Sequence, residues 1–441
     1  MFKTLRNALK IKDIRNKLIF TFFALLIVRI GSAIPVPGVN HEYFSYWMST
    51  MSGLDFLNAL TGGSFSQMAI FALGISPYIT SSIIMQLLTI AIPKLEELQK
   101  DGEDGRKKIA EISRYLTIVL AVVESIALSI GFGNQGLLEG GLTFTNVAVI
   151  TASFTAGSAF LMWLGERINE KGVGNGISII LLINIISSMP GDFNGLVKKF
   201  VTGASNVVNG IIGALIIIAI IVALVILIII LQDAERKIPV QYSKRIQGRK
   251  QVGGQSSFIP LKVNTAGVIP VIFALSLMQF PIIIGSFFGV TGERTTYPRK
   301  ILYLLNQNNW FKVGNGEFKY TLGCVLYVAL IILFAYFYTS ITFNPMEIAN
   351  NMKKQAGFIP GIRPGKPTSD YLTKVLNRIV FIGAVGLIIV ALIPIICTGL
   401  SGASISFGGT SLIIVVGVIL ETMKQIESQM LVRNYKGFLN D

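Results

Sequence analysis

Histidine and cysteine are nearly absent from this sequence, and both absences restrict what the protein can do. The 441 residues include one histidine, His41, and two cysteines, Cys324 and Cys397. A single imidazole cannot supply the histidine-rich ligand sets of most metal centres. The two cysteines lie far apart in apolar runs, so we interpret them as core residues, with no disulfide framework and no metal site.

Charged residues are also scarce, at 14% of the chain, and acidic ones are the rarer kind. Glu124 is the one convincing acidic residue deep in an apolar run, which is too little for a proton relay. An intramembrane hydrolase would need a nucleophile paired with a base. Neither a second deep acid nor a suitably placed histidine accompanies Glu124. We therefore predict that the protein is not an enzyme and uses no cofactor.

Long apolar runs dominate the sequence, which is 52% hydrophobic. A helix needs about 20 apolar residues to cross a bilayer core of about 30 Å, because unpaired backbone amides are costly in lipid. Ten runs meet or approach this length, at residues 18–35, 69–92, 115–132, 145–164, 177–189, 209–231, 265–288, 320–341, 379–397 and 406–420. The pattern predicts an all-α polytopic membrane protein with ten transmembrane helices.

The basic residues are sorted between alternate gaps. Thirty of the 38 lysines and arginines lie in the two terminal tails and in the gaps after the second, fourth, sixth and eighth runs. Seven lie in the other gaps, and Arg29 lies within the first run. Because basic loops remain in the cytoplasm, we predict that the N-terminal segment 1–17 and the C-terminal tail 421–441 are both cytoplasmic.

The net charge of +15 points to anionic partners. Orientation and contact with anionic lipid explain most of this charge, and ribosomal RNA is an alternative partner for the two largest cytoplasmic loops. The first loop, 232–264, alternates in the manner of a β-hairpin around Gly253 and Gly254. The second, 343–371, is rich in proline and glycine, which favours a stiff turn that presents Arg363. Such loops are typical docking sites.

Ten spans divide into two sets of five, and an odd number per set is what an inverted repeat requires. We predict an N-terminal half at 18–189, an external connection at 190–208 and a C-terminal half at 209–420, with a pathway between the halves. Several polar residues fall inside spans or at their edges: Arg29, Gln86, Glu124, Asn184, Asn264 and Gln279. They either line a cavity or form ordinary hydrogen bonds between helices.

The stretch 53–66 precedes the second span and is too polar to span and too apolar for a simple exposed loop. A short re-entrant element that leads into a broken helix fits this pattern, and such elements occur where they line a cavity. An amphipathic interfacial loop is the alternative.

Several motifs, in order along the whole chain, resemble the SecY family, the channel subunit of the bacterial Sec translocon. They are IPVPG at 34–38, FALGISPYI at 71–79, MWLGE at 162–166, GNGIS at 174–178, LKVN at 261–264, GFIPGIRP at 357–364 and FGGTSL at 407–412. The resemblance implies two inverted five-helix halves around a central pore that passes unfolded secretory polypeptides across the plasma membrane.

The resemblance also implies roles for individual residues. A pore ring of six apolar side chains would comprise Ile75, Ile79, Ile177, Leu181, Ile272 and Ile414, and the stretch 53–66 would be the plug that caps the closed pore. A lateral gate, between spans two and three on one side and seven and eight on the other, would include Thr80, Gln86, Glu124, Asn264 and Phe280. Hydrogen bonds among the polar gate residues would hold the gate shut until an apolar signal helix enters.

The implied partners are the SecE and SecG subunits, the SecA motor ATPase or a ribosome, anionic lipid, and signal peptides and nascent polypeptides as substrates. Lys244, Arg245 and Arg363 would dock the motor or ribosome, since the arginine fork binds carboxylate and phosphate alike. An ion-coupled transporter shares inverted repeats but needs charged or carbonyl-rich groups at mid-membrane. Isoleucine and leucine occupy the motif positions here, which argues against that alternative.

Overall fold

The computed structural model of the chain describes residues 2–40, 43–44, 55–197, 207–242, 245–247, 250–252, 256–287, 297–311, 321–401 and 409–437. Within these ranges the chain is mostly helical, and the short strands lie between residues 235 and 358. Residues 53–54 of the predicted plug, the predicted docking residue Lys244 and residues 406–408 of the last predicted span lie outside the described residues.

The described residues up to position 197 form eight helices. They are α1 (Phe2–Lys10), α2 (Lys12–Gly31), α3 (Asp55–Leu60), α4 (Ser76–Ala91), α5 (Pro93–Lys100), α6 (Glu103–Asn134), α7 (Phe144–Lys171) and α8 (Gly176–Val197). Between α4 and α5 the helix axis bends by 101°. Ile92 at the bend has an extended backbone, because the ring of Pro93 disfavours the helical conformation in the residue before it.

The described residues from position 207 onward form helices and short strands. The helices are α9 (Val207–Asp233), α10 (Ile269–Phe287), α11 (Tyr297–Leu305), α12 (Leu322–Thr342), α13 (Pro345–Lys354), α14 (Lys366–Ser401) and α15 (Gly409–Gly437). The strands are β1 (Glu235–Tyr242), β2 (Arg245–Gln247), β3 (Lys250–Val252), β4 (Ser256–Lys262) and β5 (Gly357–Phe358). The side chain of Asn344 caps α13 by accepting from the backbone amides of Met346 and Glu347.

Every predicted span overlaps a helix, and the chain is a membrane protein by the length and composition of these helices. In the described part of the chain, five helical stretches are long and apolar enough to cross a membrane: Glu103–Asn134, Phe144–Lys171, Gly210–Asp233, Leu322–Lys354 and Lys366–Cys397. The bent pair α4–α5 would be a sixth, and Gly176–Gly191 and Ile269–Ile282 are shorter apolar helices.

In three places a helix begins or ends four or more residues inside a predicted apolar run. Helix α2 ends at Gly31 rather than 35, and α4 and α10 begin only at Ser76 and Ile269. Residues 70–75 and 263–268 form turns instead. Gly74 (φ +57°) and Gly267 (φ +62°) have left-handed backbone conformations, which a right-handed helix does not include. The apolar runs therefore extend beyond the helix ends, into the neighbouring turns.

The two large loops predicted as docking sites share a three-stranded sheet, and the first loop also contains a separate two-stranded sheet. Strands β1 and β4 pair antiparallel with Ile238 opposite Ile259, and β2 pairs with β3. An antiparallel hairpin is therefore present in 232–264 as predicted, but its innermost described pair is Gln247 with Lys250, so it is not centred on Gly253 and Gly254. Strand β5 comes from the second loop and pairs with β1, which gives the order β4-β1-β5. Buried apolar residues on this sheet pack against α14.

The helices before residue 207 contact those after it at three helix pairs. Helix α6 packs against α10, and α8 packs against α15. Helix α1 also packs against α15. A hydrophobic cluster between these contacts contains residues from both parts of the chain, and it holds the candidate site.

Candidate pore and lateral gate

The six residues predicted to form the pore ring are members of this one cluster. Ile75, Leu181, Ile272 and Ile414 are buried in it, with 3%, 6%, 8% and 2% of their surface exposed. Ile79 and Ile177 are half-buried and pack against the same cluster. Isoleucine and leucine make no hydrogen bonds to water, so a constriction that they line dewets and resists ions.

The ring residues lie at the starts of four helices. Ile75 is the N-cap of α4 and Ile79 follows one turn later, while Ile177 and Leu181 are related in the same way on α8. A spacing of four places each pair on one face of its helix. Ile272 and Ile414 lie in the first two turns of α10 and α15. Helix starts therefore bring the six side chains together from positions far apart in sequence.

The short helix α3 lies directly against this cluster. It packs on α8, and Leu60 at its end is 6% exposed and belongs to the same cluster as the ring. The turns that follow are also buried, with Thr61 at 3% and Ser64 at 1% exposure. Leu60 therefore places the described part of the stretch 53–66 against the apolar cluster.

The predicted gate residues lie on helices that touch. Helix α4 packs against α6, and α6 packs against α10. Thr80 and Gln86 are on α4, Glu124 is on α6 and Phe280 is on α10. Asn264, in the turns before α10, is 9% exposed, and its side-chain nitrogen has no hydrogen-bond partner among the described residues. Phe280 is 48% exposed.

The polar gate residues do not bond to one another. Thr80 Oγ1 donates to Ser76 O (3.1 Å) and Gln86 Nε2 to Ser82 Oγ (3.5 Å), both on the same helix. Among the described side chains, no hydrogen bond joins Thr80, Gln86, Glu124 and Asn264 to each other. The bonds expected across the predicted gate are therefore not formed among the described residues. The donors of Thr80 and Gln86 bond one turn away on their own helix, and Gln86 Oε1 has no partner in the described part of the chain.

Sequence reasoning missed Ser113, which links α4 to α6. Ser81 Oγ donates to Ser113 O at 2.7 Å, and both serines are buried. Farther along the same helix, Ser125 Oγ lies 3.3 Å from Thr155 Oγ1 on α7. Small hydroxyl residues that recur on one helix face are the signal that could have identified these contacts.

Two of the three predicted docking residues fall within the described chain. Arg245 begins β2, in the hairpin that extends from β1 and β4. Arg363 is exposed, and its carbonyl accepts from Thr368 Oγ1 at 2.8 Å, which fixes the turn. Ile359 and Ile362, on the same loop, pack against the sheet. The structure therefore anchors the loop of Arg363 on the hairpin that carries Arg245.

Apolar helices of spanning length that pack around one buried cluster define a polytopic helical membrane protein. The SecY family model matches residues 69–423. Protein translocase subunit SecY of Halalkalibacterium halodurans is 45% identical over an alignment of 446 residues, which covers 100% of both chains. The chain belongs to the SecY family. This membership confirms the predicted class, a protein-conducting channel subunit, and the prediction that the protein is not an enzyme.

Two solved structures share the fold. The first, described as "The structure of a protein conducting channel", has a TM-score of 0.66 and 19% identity, with coverage of 94% of this chain and 92% of that chain. The second, "Sec61 in the Canine ribosome-channel complex from the endoplasmic reticulum", has a TM-score of 0.60 and 18% identity, with the same coverage of 94% and 92%.

Proposed function

We propose that this SecY-family chain forms the pore through which unfolded secretory polypeptides cross the bacterial plasma membrane. The observation that carries the proposal is the single apolar cluster that unites Ile75, Ile79, Ile177, Leu181, Ile272 and Ile414. An aliphatic constriction has no fixed polar site for a small solute, and its soft walls can part around a chain of any sequence. Both properties suit a polypeptide channel better than an ion-coupled transporter.

The channel comprises ten transmembrane helices in two inverted halves, with both termini in the cytoplasm. The overlap of every predicted span with a helix supports this arrangement, as does the sorting of basic residues. Contacts of α6 with α10 and of α8 with α15 join the halves. Helices α4, α6, α10 and α12 line the lateral gate, through which transmembrane segments leave for the lipid.

Cytoplasmic partners drive the transport. The sheet β4-β1-β5 supports Arg363 and the hairpin that carries Lys244 and Arg245, and these side chains dock the SecA motor or a ribosome. A related channel fold has been solved in a ribosome complex. SecE and SecG complete the membrane complex, and anionic lipid binds the remaining cytoplasmic lysines and arginines.

A crosslinking scan tests the pore. Single cysteines would replace Ile79, Ile177, Ile272 and Ile414 in a channel that lacks Cys324 and Cys397, and a secretory chain would be stalled in transit. A cysteine in place of Ile150 is the matched control, because Ile150 is 0% exposed in a separate cluster. We expect crosslinks to the stalled chain from the four ring positions and none from the control. If the four positions do not crosslink to a chain that is demonstrably stalled, these residues are ordinary packing and small-solute transport becomes the better explanation.

A further inference from the structure

Three side chains from two membrane helices converge on the backbone of the turn after α3. Arg29 Nη1, from the last turn of α2, donates to Gly62 O at 3.2 Å. Asn184 Nδ2, from α8, donates to Leu60 O at 3.1 Å. Ser187 Oγ lies 3.3 Å from Gly62 O and 2.9 Å from Asn184 O, and its one proton can serve either acceptor.

We propose that Arg29, Asn184 and Ser187 form a latch that holds the plug in the closed channel through main-chain carbonyl groups. The inference rests on the proposed function, since it assigns a closed state to this structure. It goes further by naming the residues that select that state. Apolar contact of Leu60 with the ring cluster seals the pore, whereas the latch fixes where the plug rests.

The chemistry of the three residues supports a latch rather than ordinary packing. A charged or amide group inside a membrane span is costly unless it is paired. Arg29 is half-buried and Asn184 is 2% exposed, and each of their bonds to the plug pairs a strong donor with a carbonyl group that has no helical partner. Opening the plug removes both acceptors together, so the unpaired donors favour its return.

Gly62 is the residue that allows this approach. Its φ is +66°, and a Cβ built on it would lie 2.7 Å from Arg29 Nη1, 2.9 Å from Asn184 Cα and 2.9 Å from Ser187 Oγ. The contact with Asn184 Cα is with main chain, which cannot move aside as a flexible side chain could. Any side chain at position 62 would therefore lift the turn away from α8. The latch depends on glycine here and on main-chain carbonyl groups elsewhere, so it does not require particular side chains at the other plug positions.

A reporter cysteine measures the latch directly. Ser64→Cys, in a channel without Cys324 and Cys397, places a thiol at a position that is 1% exposed behind the latch. The test compares its labelling rate with a membrane-impermeant maleimide, added from the external side, in Arg29→Ala, Asn184→Ala and Gly62→Ala channels. Ser188→Ala is the matched control, because Ser188 is a neighbouring half-buried serine whose hydroxyl bonds only to Ile185 O of its own helix at 2.9 Å.

We expect each latch variant to label about fivefold to tenfold faster than the parent, the factor that one hydrogen bond of ordinary net strength represents. Arg29→Lys should label at an intermediate rate, since its ammonium can still reach a carbonyl group. The control should label at the parent rate. Equal rates in the latch variants and the parent would overturn the proposal, and so would equal acceleration in Ser188→Ala.

Transport of a secretory chain by the same reconstituted channels separates this proposal from the proposed function. If the parent channel transports the chain and the variants label at the parent rate, the latch proposal is contradicted and the proposed pore function is supported. If the parent channel transports nothing with its partners present, the proposed pore function is contradicted. If Arg29→Ala fails to assemble, Asn184→Ala and Gly62→Ala decide the result, because neither introduces or removes a charge.

Discussion

Gln241 on β1 is paired with Phe358 on β5, although 116 residues separate them in the chain. This pairing joins the two large loops, which sequence analysis treated as separate, into one sheet. Gly357, next to Phe358, is opposite Tyr242 in the same ladder. A partner that docks on either loop therefore contacts a surface supported by both.

Enlarging Gly357 should separate the two loops. A Cβ at this position would lie 2.8 Å from Tyr242 Cε1, so Gly357→Val should displace the tyrosine ring at a cost of about 1–3 kcal/mol. We expect weaker binding of the motor ATPase to vesicles that contain the channel, measured by co-sedimentation. Lys353→Val, at an exposed position of α13, is the control, and equal losses in both variants would contradict the role of the pairing.

Charge reversal at Arg363 should impair partner-driven transport without unfolding the channel. Arg363 is exposed on a turn that its own carbonyl stabilises, so Arg363→Glu should leave the fold intact and repel an anionic partner surface. We expect transport to fall about tenfold or more, measured as protease-protected secretory chain. Lys366→Glu makes the same charge change three residues away at another exposed position, and an equal fall there would show that only net charge matters.

A polar group in the ring should let water and ions through the closed channel. Ile414 is 2% exposed in the ring cluster, and Ile414→Asn would give water a hydrogen-bonding site at the constriction. We expect the resting ion conductance of reconstituted channels to increase. Ile414→Val keeps the site apolar and should leave the conductance unchanged. A conductance that stays at the parent value in Ile414→Asn would contradict the ring assignment.

Trp310 should stabilise the described segment 297–311 against α12. It is 0% exposed, its indole nitrogen donates to Leu304 O at 2.8 Å, and its ring lies 5.6 Å from that of Tyr327. Trp310→Ala should lower the free energy of unfolding by about 3–5 kcal/mol, measured by thermal unfolding in detergent. Leu322→Ala, at a position that is 64% exposed, should change it by less than about 0.5 kcal/mol.

Hydrophobic length predicted where the helices are, and it failed where glycine turns enter apolar sequence. Residues 70–75 are as apolar as a span, yet Gly74 has a positive φ and α4 starts after it. Composition reports burial and cannot report backbone conformation. The ring residues were predicted through family motifs, since nothing in apolar periodicity distinguishes Ile79 or Ile272 from other buried isoleucines.

Polar residues inside spans were recognised, but their partners were not. Arg29 and Asn184 were identified as costly in lipid, whereas their acceptors are carbonyl groups of Leu60 and Gly62. A main-chain acceptor cannot be identified from the sequence, because every residue has a carbonyl group. The same limit explains why hydrogen bonds were expected among Thr80, Gln86, Glu124 and Asn264. The sequence identifies side-chain donors and acceptors only, so these groups were paired with one another.

The described strands of the cytoplasmic sheet all follow α9 in the chain, whereas Ile75, Ile79, Ile177 and Leu181 all precede it. A force that a bound partner exerts on the sheet therefore acts first on the part of the molecule that carries Ile272 and Ile414. It reaches the opposite wall through the contacts of α6 with α10 and of α8 with α15. Because the sheet belongs to only one of the two parts that surround the cluster, we expect partner docking to change the distance between Ile272 or Ile414 and the ring residues of the other part.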